Sequence, residues 1–124
     1  MSQILYIAIG GAIGAVFRYF ASTAVYAWLG RGFPYGTLAV NVVGSLIMGF
    51  LAIVLLERIS TGPELRALLL IGLLGAFTTF STFSIETLNL IDQGAVIKAG
   101  INILLSVILC VGAAWLGTIL GRQL

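Results

Sequence analysis

The chain has 124 residues, of which 60% are hydrophobic and 8% are charged. Soluble domains carry about 25% charged residues, so this chain cannot cover its surface with charge, and we expect it to lie in lipid. The six Lys and Arg residues are scattered and the net charge is only +2, which argues against nucleic acid as a partner.

Four apolar stretches are long enough to cross a bilayer, which takes about 20 residues of helix. They cover residues 4–29, 37–56, 65–91 and 96–120. Residues 1–3 carry no positive side chain and the apolar run after them exceeds signal-peptide length, so we interpret it as a retained helix. Short connections make successive helices antiparallel neighbours. We therefore predict an all-α membrane protein with one four-helix transmembrane domain over residues 1–124.

The first two spans each carry a polar side chain at membrane depth. Arg18 interrupts the first span, where it either reaches an interface, caps a helix end or serves a functional site. Asn41 lies within the second span, with Thr37 one turn earlier on the same face. A carboxamide in lipid needs partners, so Asn41 either bonds a neighbouring helix or donates an N–H to an anion. Both interpretations remain open.

The third span contains a dense polar cluster at residues 75–84, with the sequence GAFTTFSTFS. Gly costs up to about 1 kcal/mol relative to Ala inside a helix, and clustered Ser and Thr hydroxyls compete for backbone hydrogen bonds. Together they allow a break near residues 75–79, where freed carbonyls would suit a cation. The alternative is an unbroken helix whose hydroxyls bond the carbonyls four residues earlier.

Aromatic rings and one acid follow the same segment. Phe77, Phe80 and Phe83 recur every third residue, a pattern that usually indicates packing. Because aromatic edges are electropositive, these rings could also line a path for an anion. Glu86 either faces an aqueous vestibule or pairs with an Arg.

The fourth span places Asn102 and Ser106 four residues apart, with Cys110 one turn further on the same face. Hydrogen bonding between helices is the favoured interpretation of the two polar residues, and Cys110 is expected to face lipid or another helix as a small apolar residue. The sequence assigns none of the three to a pathway.

The charges that flank the spans predict almost no preferred orientation of the chain in the membrane. Arg58, Arg66 and Arg122 share one side of the membrane, and Arg31 and Lys98 lie on the other, with Arg18 if it extends that way. Orientation follows the imbalance of Lys and Arg between the two sides, so we predict dual topology with antiparallel pairing of two copies. A single, weakly specified orientation is the alternative.

Small residues four apart recur in the spans and predict close helix packing, within one chain or between copies. They are Gly10 with Gly14, Ser45 with Gly49, and Gly117 with Gly121.

Three segments together resemble the Fluc/CrcB family of fluoride channels. They are residues 10–19 (GGAIGAVFRY), 34–45 (PYGTLAVNVVGS) and 72–84 (GLLGAFTTFSTFS). The resemblance covers the first three spans, and the fourth agrees in hydrophobicity only. It implies a fluoride-selective channel of the bacterial cell (inner) membrane that exports fluoride passively, built as an antiparallel, dual-topology homodimer with two pores and a broken third helix.

The resemblance also implies roles for individual residues. A central structural sodium ion would be held by the backbone carbonyls of Gly75 and Thr78 from both subunits. Arg18 matches the first-helix arginine, in a vestibule or as a structural charge. Thr37 lies on the same helix face as Asn41 and extends its polar surface. Together with the resemblance, this gives a pore and fluoride pathway of Thr37, Asn41, Thr79, Phe80, Ser81, Thr82, Phe83 and Glu86.

The chemistry of fluoride agrees with this hypothesis. Fluoride is small and strongly hydrated, so a dry pore must replace its water with hydrogen-bond donors. Amide, hydroxyl and ring-edge groups do so without full charge, which lets an anion both enter and leave.

Other functions fit the sequence less well. A small drug–proton antiporter needs a titrating carboxylate, typically in the first span, and that span has none. A non-transporting scaffold subunit would explain the glycines but not the cluster of hydroxyls and rings. With no His and a single Cys, the chain lacks the usual catalytic groups, and we expect no enzyme activity.

Overall fold

The computed structural model describes residues 2–59 and 61–124, so Met1 and Ser60, including the start of the predicted retained N-terminus, lie outside the described residues. Within those ranges the chain forms helices and short connections, with no strand. The α-helices are α1 (Ser2–Leu29), α2 (Tyr35–Ile53), α3 (Pro63–Arg66), α4 (Gly75–Phe77), α5 (Phe80–Asp92) and α6 (Val96–Arg122). Two π-helical stretches, Val54–Arg58 and Ala67–Leu74, extend α2 and join α3 to α4.

Four helical stretches are long and apolar enough to cross a membrane, which confirms the prediction of four spanning helices. They are Ser2–Leu29, Tyr35–Arg58, Pro63–Asp92 and Val96–Arg122. Large apolar side chains on them face outward, among them Trp28, which is 83% exposed, and Trp115, which is 67% exposed. Such an exterior suits lipid and not water.

Glycine ends two of the spans. Gly30 follows α1 with φ +84°, and Gly94 follows α5 with φ +82°. Both are left-handed conformations that glycine adopts without a steric penalty. The Gly30 amide bonds the Tyr26 carbonyl at 2.8 Å and the Gly94 amide bonds the Ile91 carbonyl at 3.0 Å, so each turn closes its helix.

The small residues bring helix backbones together within the chain. A Cβ on Gly10 or Gly14 would collide with the backbone of the third span at Leu68 or Leu73. A Cβ on Gly117 would likewise collide with the α2 backbone near Leu46. These glycines therefore allow α1 to pack on the third span and α6 to pack on α2.

The backbone of the third span is extended at two residues between α4 and α5. Thr78 has φ −89° and ψ 156°, and Thr79 has φ −151° and ψ 111°. Gly44 of α2 lies opposite, where an added Cβ would collide with Thr78 Cγ2 and lie 3.1 Å from the Phe77 ring. Only a residue without a side chain lets α2 approach this segment so closely.

Candidate functional site

The side chain of Asn41 holds the extended segment by a pair of hydrogen bonds. The Thr79 amide donates to Asn41 Oδ1 at 2.7 Å, and Asn41 Nδ2 donates to the Thr79 carbonyl at 3.0 Å. Thr79 is buried, and a buried backbone group without a partner is costly. Asn41 therefore bonds a neighbouring helix, as one of its two interpretations requires, and its carboxamide retains a second N–H.

The same geometry removes the usual donors from two carbonyls. In a continuous α-helix the Thr79 amide would bond the Gly75 carbonyl, and the Thr82 amide would bond the Thr78 carbonyl. Here the Thr79 amide donates to Asn41, and the Thr82 amide donates to Thr79 Oγ1 at 3.2 Å. The carbonyls of Gly75 and Thr78 thus lose their helical donors, and such oxygens suit a cation.

The Thr79 hydroxyl is the centre of a small hydroxyl cluster. It caps α5 by accepting from the Thr82 amide, donates to Thr82 Oγ1 at 2.9 Å and lies 3.3 Å from Ser81 Oγ. The Thr78 hydroxyl is used differently, because it donates to the Leu74 carbonyl at 3.0 Å.

A cavity of about 280 Å³, which we call the aromatic cavity, adjoins this segment. It brings together the predicted residues Asn41, Thr78, Thr79, Phe80 and Phe83. The rings of Phe80 and Phe83 lie 5.2 Å apart at 44°. Phe83 is buried and Phe80 is 78% exposed. The other lining residues are Ser45, Ser106, Val107, Cys110 and Val111, so Cys110 faces this cavity.

A second cavity of about 270 Å³, the arginine cavity, also reaches Thr79. Predicted residues Arg18, Thr37 and Thr82 line it, with Thr79 shared between the two cavities. Its remaining lining residues are Ala15, Tyr19, Ser22 and Val40. Ser81 lines neither cavity, and of the predicted hydroxyls it contacts the site only through Thr79.

Glu86 belongs to a third cavity of about 310 Å³, the mouth, between the α1–α2 and α5–α6 connections. Tyr26 donates its hydroxyl proton to Glu86 Oε2 at 2.8 Å, and the Tyr26 hydroxyl oxygen also lies 3.3 Å from Thr37 Oγ1. The Arg31 guanidinium lies 4.4 Å from the centre of the Tyr26 ring, a cation–π contact. Glu86 Oε1 is buried and has no hydrogen-bond partner within residues 2–59 and 61–124.

Lys98 also lines the mouth and donates to the Gly32 carbonyl at 3.1 Å. The mouth therefore places two cations and one carboxylate around Tyr26, and Thr37 connects it to the arginine cavity.

The polar residues of the fourth span join α6 to α5. Asn102 is 1% exposed and donates through Nδ2 to Thr87 Oγ1 at 2.9 Å. Thr87 donates to the Phe83 carbonyl at 2.7 Å, and Ser106 donates to Asn102 Oδ1 at 3.5 Å. Asn102 thus forms the predicted bond between helices, and Ser106 links it to the aromatic cavity.

A family model described as "CrcB-like protein, Camphor Resistance (CrcB)" matches residues 5–118. The chain belongs to the CrcB-like family. This confirms the resemblance found in the sequence, and the match includes the fourth span. Together with the four helices, it makes the chain a multi-pass bacterial membrane protein.

Curated members of the CrcB-like family are similar along nearly the whole chain. A protein of Magnetococcus marinus is 58% identical over 120 residues, covering 97% of this chain and 98% of its own. One of Coxiella burnetii is 54% identical over 123 residues, covering 98% and 99%. One of Methylococcus capsulatus is 53% identical over 118 residues, which are 95% of this chain but 52% of that protein. Each is named "Fluoride-specific ion channel FluC".

Sequence reasoning missed three residues of this CrcB-like chain that contact the predicted ones. Ser45 was noticed for its spacing from Gly49 and as the end of the segment 34–45, but not as a site residue, and Thr87 appears as one hydroxyl in an apolar helix. Tyr26 resembles the aromatic residues that mark membrane interfaces. Only the pairing of helices brings each of them to the site, so residue type and position carried no signal.

Proposed function

We propose that this CrcB-like protein is a fluoride channel through which fluoride leaves the cell passively, with two antiparallel copies as the conducting unit. The pair of hydrogen bonds between Asn41 and Thr79 carries the proposal, because it holds uncharged donors and aromatic rings around a cavity at membrane depth. The relatives named fluoride-specific ion channels support it.

The aromatic cavity offers what a dehydrating halide needs. Asn41 keeps one N–H, and the hydroxyls of Ser45 and Ser106 add donors of the same neutral kind. The electropositive edges of the Phe80 and Phe83 rings border the same space. None of the lining residues carries a full charge, so binding stays weak enough for an anion to move on.

No energy source is required for this transport. A negative interior potential favours exit of an anion by about 2.3 kcal/mol per 100 mV. The first span contains no carboxylate that could couple transport to protons. The channel needs no chemical step, so we propose no enzyme activity.

The exposed surface of a single chain supports the proposed pairing of two copies. Phe80 borders the aromatic cavity yet is 78% exposed, and Gly75 is also exposed. A second copy would cover that ring and complete the wall of the aromatic cavity. With one aromatic cavity in each copy, the pair would have two pores. The near balance of Lys and Arg across the membrane allows both orientations and hence an antiparallel pair.

The residues at the extended segment fit a sodium ion. The Gly75 and Thr78 carbonyls have lost their helical amide donors to Asn41 and Thr79. Both copies would contribute these oxygens at the centre of the pair. When bound, the ion would hold the copies together and raise the local potential for an anion. The other common kind of metal site, a group of three or more acidic, His or Cys side chains, is absent from the described residues.

Fluoride efflux from liposomes that contain the purified full chain tests this function, with chloride-loaded liposomes as the control. We expect rapid fluoride loss and retained chloride. Phe80→Ile and Phe83→Ile should each reduce fluoride efflux, because each removes a ring edge from the cavity. A folded protein that leaves fluoride trapped would overturn the proposal, and unchanged efflux in both variants would remove the rings from the pathway.

A further inference from the structure

Ser106 uses its hydroxyl proton differently from four other hydroxyls in the spans. Four hydroxyls of the described residues donate at 2.7–3.0 Å to the backbone carbonyl four residues earlier: Ser22, Thr78, Ser84 and Thr87. Such a bond occupies the only proton that a hydroxyl can give. Ser106 instead donates to the side chain of Asn102, at 3.5 Å.

The direction of this arrangement is fixed by Thr87. Because Thr87 gives its single proton to the Phe83 carbonyl, its oxygen can only accept from Asn102. The nitrogen of the Asn102 carboxamide must therefore face Thr87, and its oxygen must face Ser106. Asn102 and Thr87 are both buried, so water does not compete for these hydrogen bonds and the carboxamide keeps this orientation.

The bond that remains to Ser106 is weak. At 3.5 Å it lies beyond the usual range for hydroxyl donors. An anion in the aromatic cavity, which Ser106 lines, would be a stronger acceptor than the amide oxygen. Rotation about one bond would then move the Ser106 proton from Asn102 to the anion.

We infer that Asn102, oriented by Thr87, is a positioning residue that keeps the Ser106 hydroxyl proton off the backbone and available to an anion in the aromatic cavity. This inference rests on the proposed fluoride channel. It gives the buried carboxamide of the fourth span a part in transport, through Ser106 and without contact with the ion.

The test measures initial fluoride efflux from liposomes over a range of internal fluoride, which separates maximal flux from the half-saturating concentration. Ser106→Ala should raise the half-saturating concentration about tenfold, since a hydrogen bond to a charged acceptor is worth at least that factor. Asn102→Leu should do the same. In the Ser106→Ala background, Asn102→Leu should add less than about a further twofold, within the usual error of additivity.

Thr87 gives a second route to the same answer. Thr87→Val keeps the shape but removes the hydroxyl that orients Asn102, so it should raise the half-saturating concentration, and Thr87→Ser should restore it. Thr118 is the matched control, because it lies on the same helix as Ser106 and donates to the Trp115 carbonyl away from the cavity. Thr118→Val should leave the half-saturating concentration unchanged.

The outcomes separate this inference from the channel itself. If the unchanged protein conducts fluoride but Asn102→Leu raises the half-saturating concentration equally with and without the Ser106 hydroxyl, Asn102 is merely structural and the inference is overturned. If Asn102→Leu does not fold, failure of Thr87→Ser to restore the Thr87→Val defect overturns it instead. Absence of fluoride flux in the unchanged protein would remove the proposed function, and this inference with it.

Discussion

Asn41 and Thr79 lie on different spans and exchange two hydrogen bonds, so one carboxamide satisfies both backbone groups of the residue where the third span is extended. Secondary structure normally satisfies such groups, and lipid offers no replacement. The side chain that resembles a pore residue in the sequence is therefore also the one that stabilises the irregular backbone.

Replacing Asn41 tests that double role. Asn41→Ala leaves the buried amide and carbonyl of Thr79 without partners, and should lower the free energy of unfolding by about 1–3 kcal/mol per lost partner. Unfolding in detergent measures this change. Asn89, an exposed asparagine of α5, supplies the control, because Asn89→Ala should stay within about 0.5 kcal/mol of the unchanged protein. Equal stability of the two variants would show that the pairing is unimportant.

Gly44 tests the closeness of α2 to the extended segment. A methyl group in Gly44→Ala would collide with Thr78 Cγ2, and overpacking of this kind costs about 1–3 kcal/mol. We expect lower thermal stability and lower fluoride efflux together. Gly100 has open space at its Cβ position, so Gly100→Ala should keep or slightly raise stability, by up to about 1 kcal/mol. If both variants behave alike, the contact between α2 and Thr78 does not constrain the fold.

Replacing Tyr26 tests whether its hydrogen bond to Glu86 in the mouth matters for transport. Tyr26→Phe keeps the ring beneath Arg31 but removes the proton given to Glu86 Oε2. Since Glu86 Oε1 has no partner in the described chain, the carboxylate would lose its one side-chain donor and move. We expect fluoride efflux to fall, with about 1.5–3 kcal/mol lost in stability, the range for hydrogen bonds to charged groups. Tyr6→Phe, on the same helix, is the control. An equal effect of both variants would show that the bond from Tyr26 to Glu86 has no specific role in transport.

Exchange of sodium for a bulky organic cation tests the carbonyl site at Gly75 and Thr78. Because the ion would join two copies, we expect the dimer to dissociate in detergent without sodium and to re-form when sodium returns. Size-exclusion chromatography with light scattering measures the mass directly. A dimer that is equally stable without sodium would argue against a structural ion at this position.

The sequence was sufficient to predict the spans and to single out candidate polar residues, but it did not reveal the partners of those residues. Apolar length predicts four helices because lipid imposes it, and Asn41 is conspicuous because a carboxamide is costly there. What Asn41 bonds depends on how α2 meets the third span, which residue type does not encode. For the same reason Thr87 and Tyr26 escaped notice, although each orients a residue that the sequence did single out.

Cys110 is a residue whose surroundings could not be predicted from its residue type. Its chemistry predicts a small apolar packing residue, and it lies instead along the aromatic cavity beside Ser106. The helical spacing from Asn102 and Ser106 to Cys110 correctly placed the three on one face of α6. It could not say whether that face meets lipid, another helix or a cavity.

The most direct test of the account is the reversal potential of the current through the purified protein in a planar bilayer. With a tenfold fluoride gradient and equal chloride on both sides, a passive fluoride-selective pore should reverse at about 60 mV, the voltage equivalent of a tenfold concentration ratio. A current that reverses near zero under the fluoride gradient and follows a chloride gradient instead, or no current from folded protein, would contradict it.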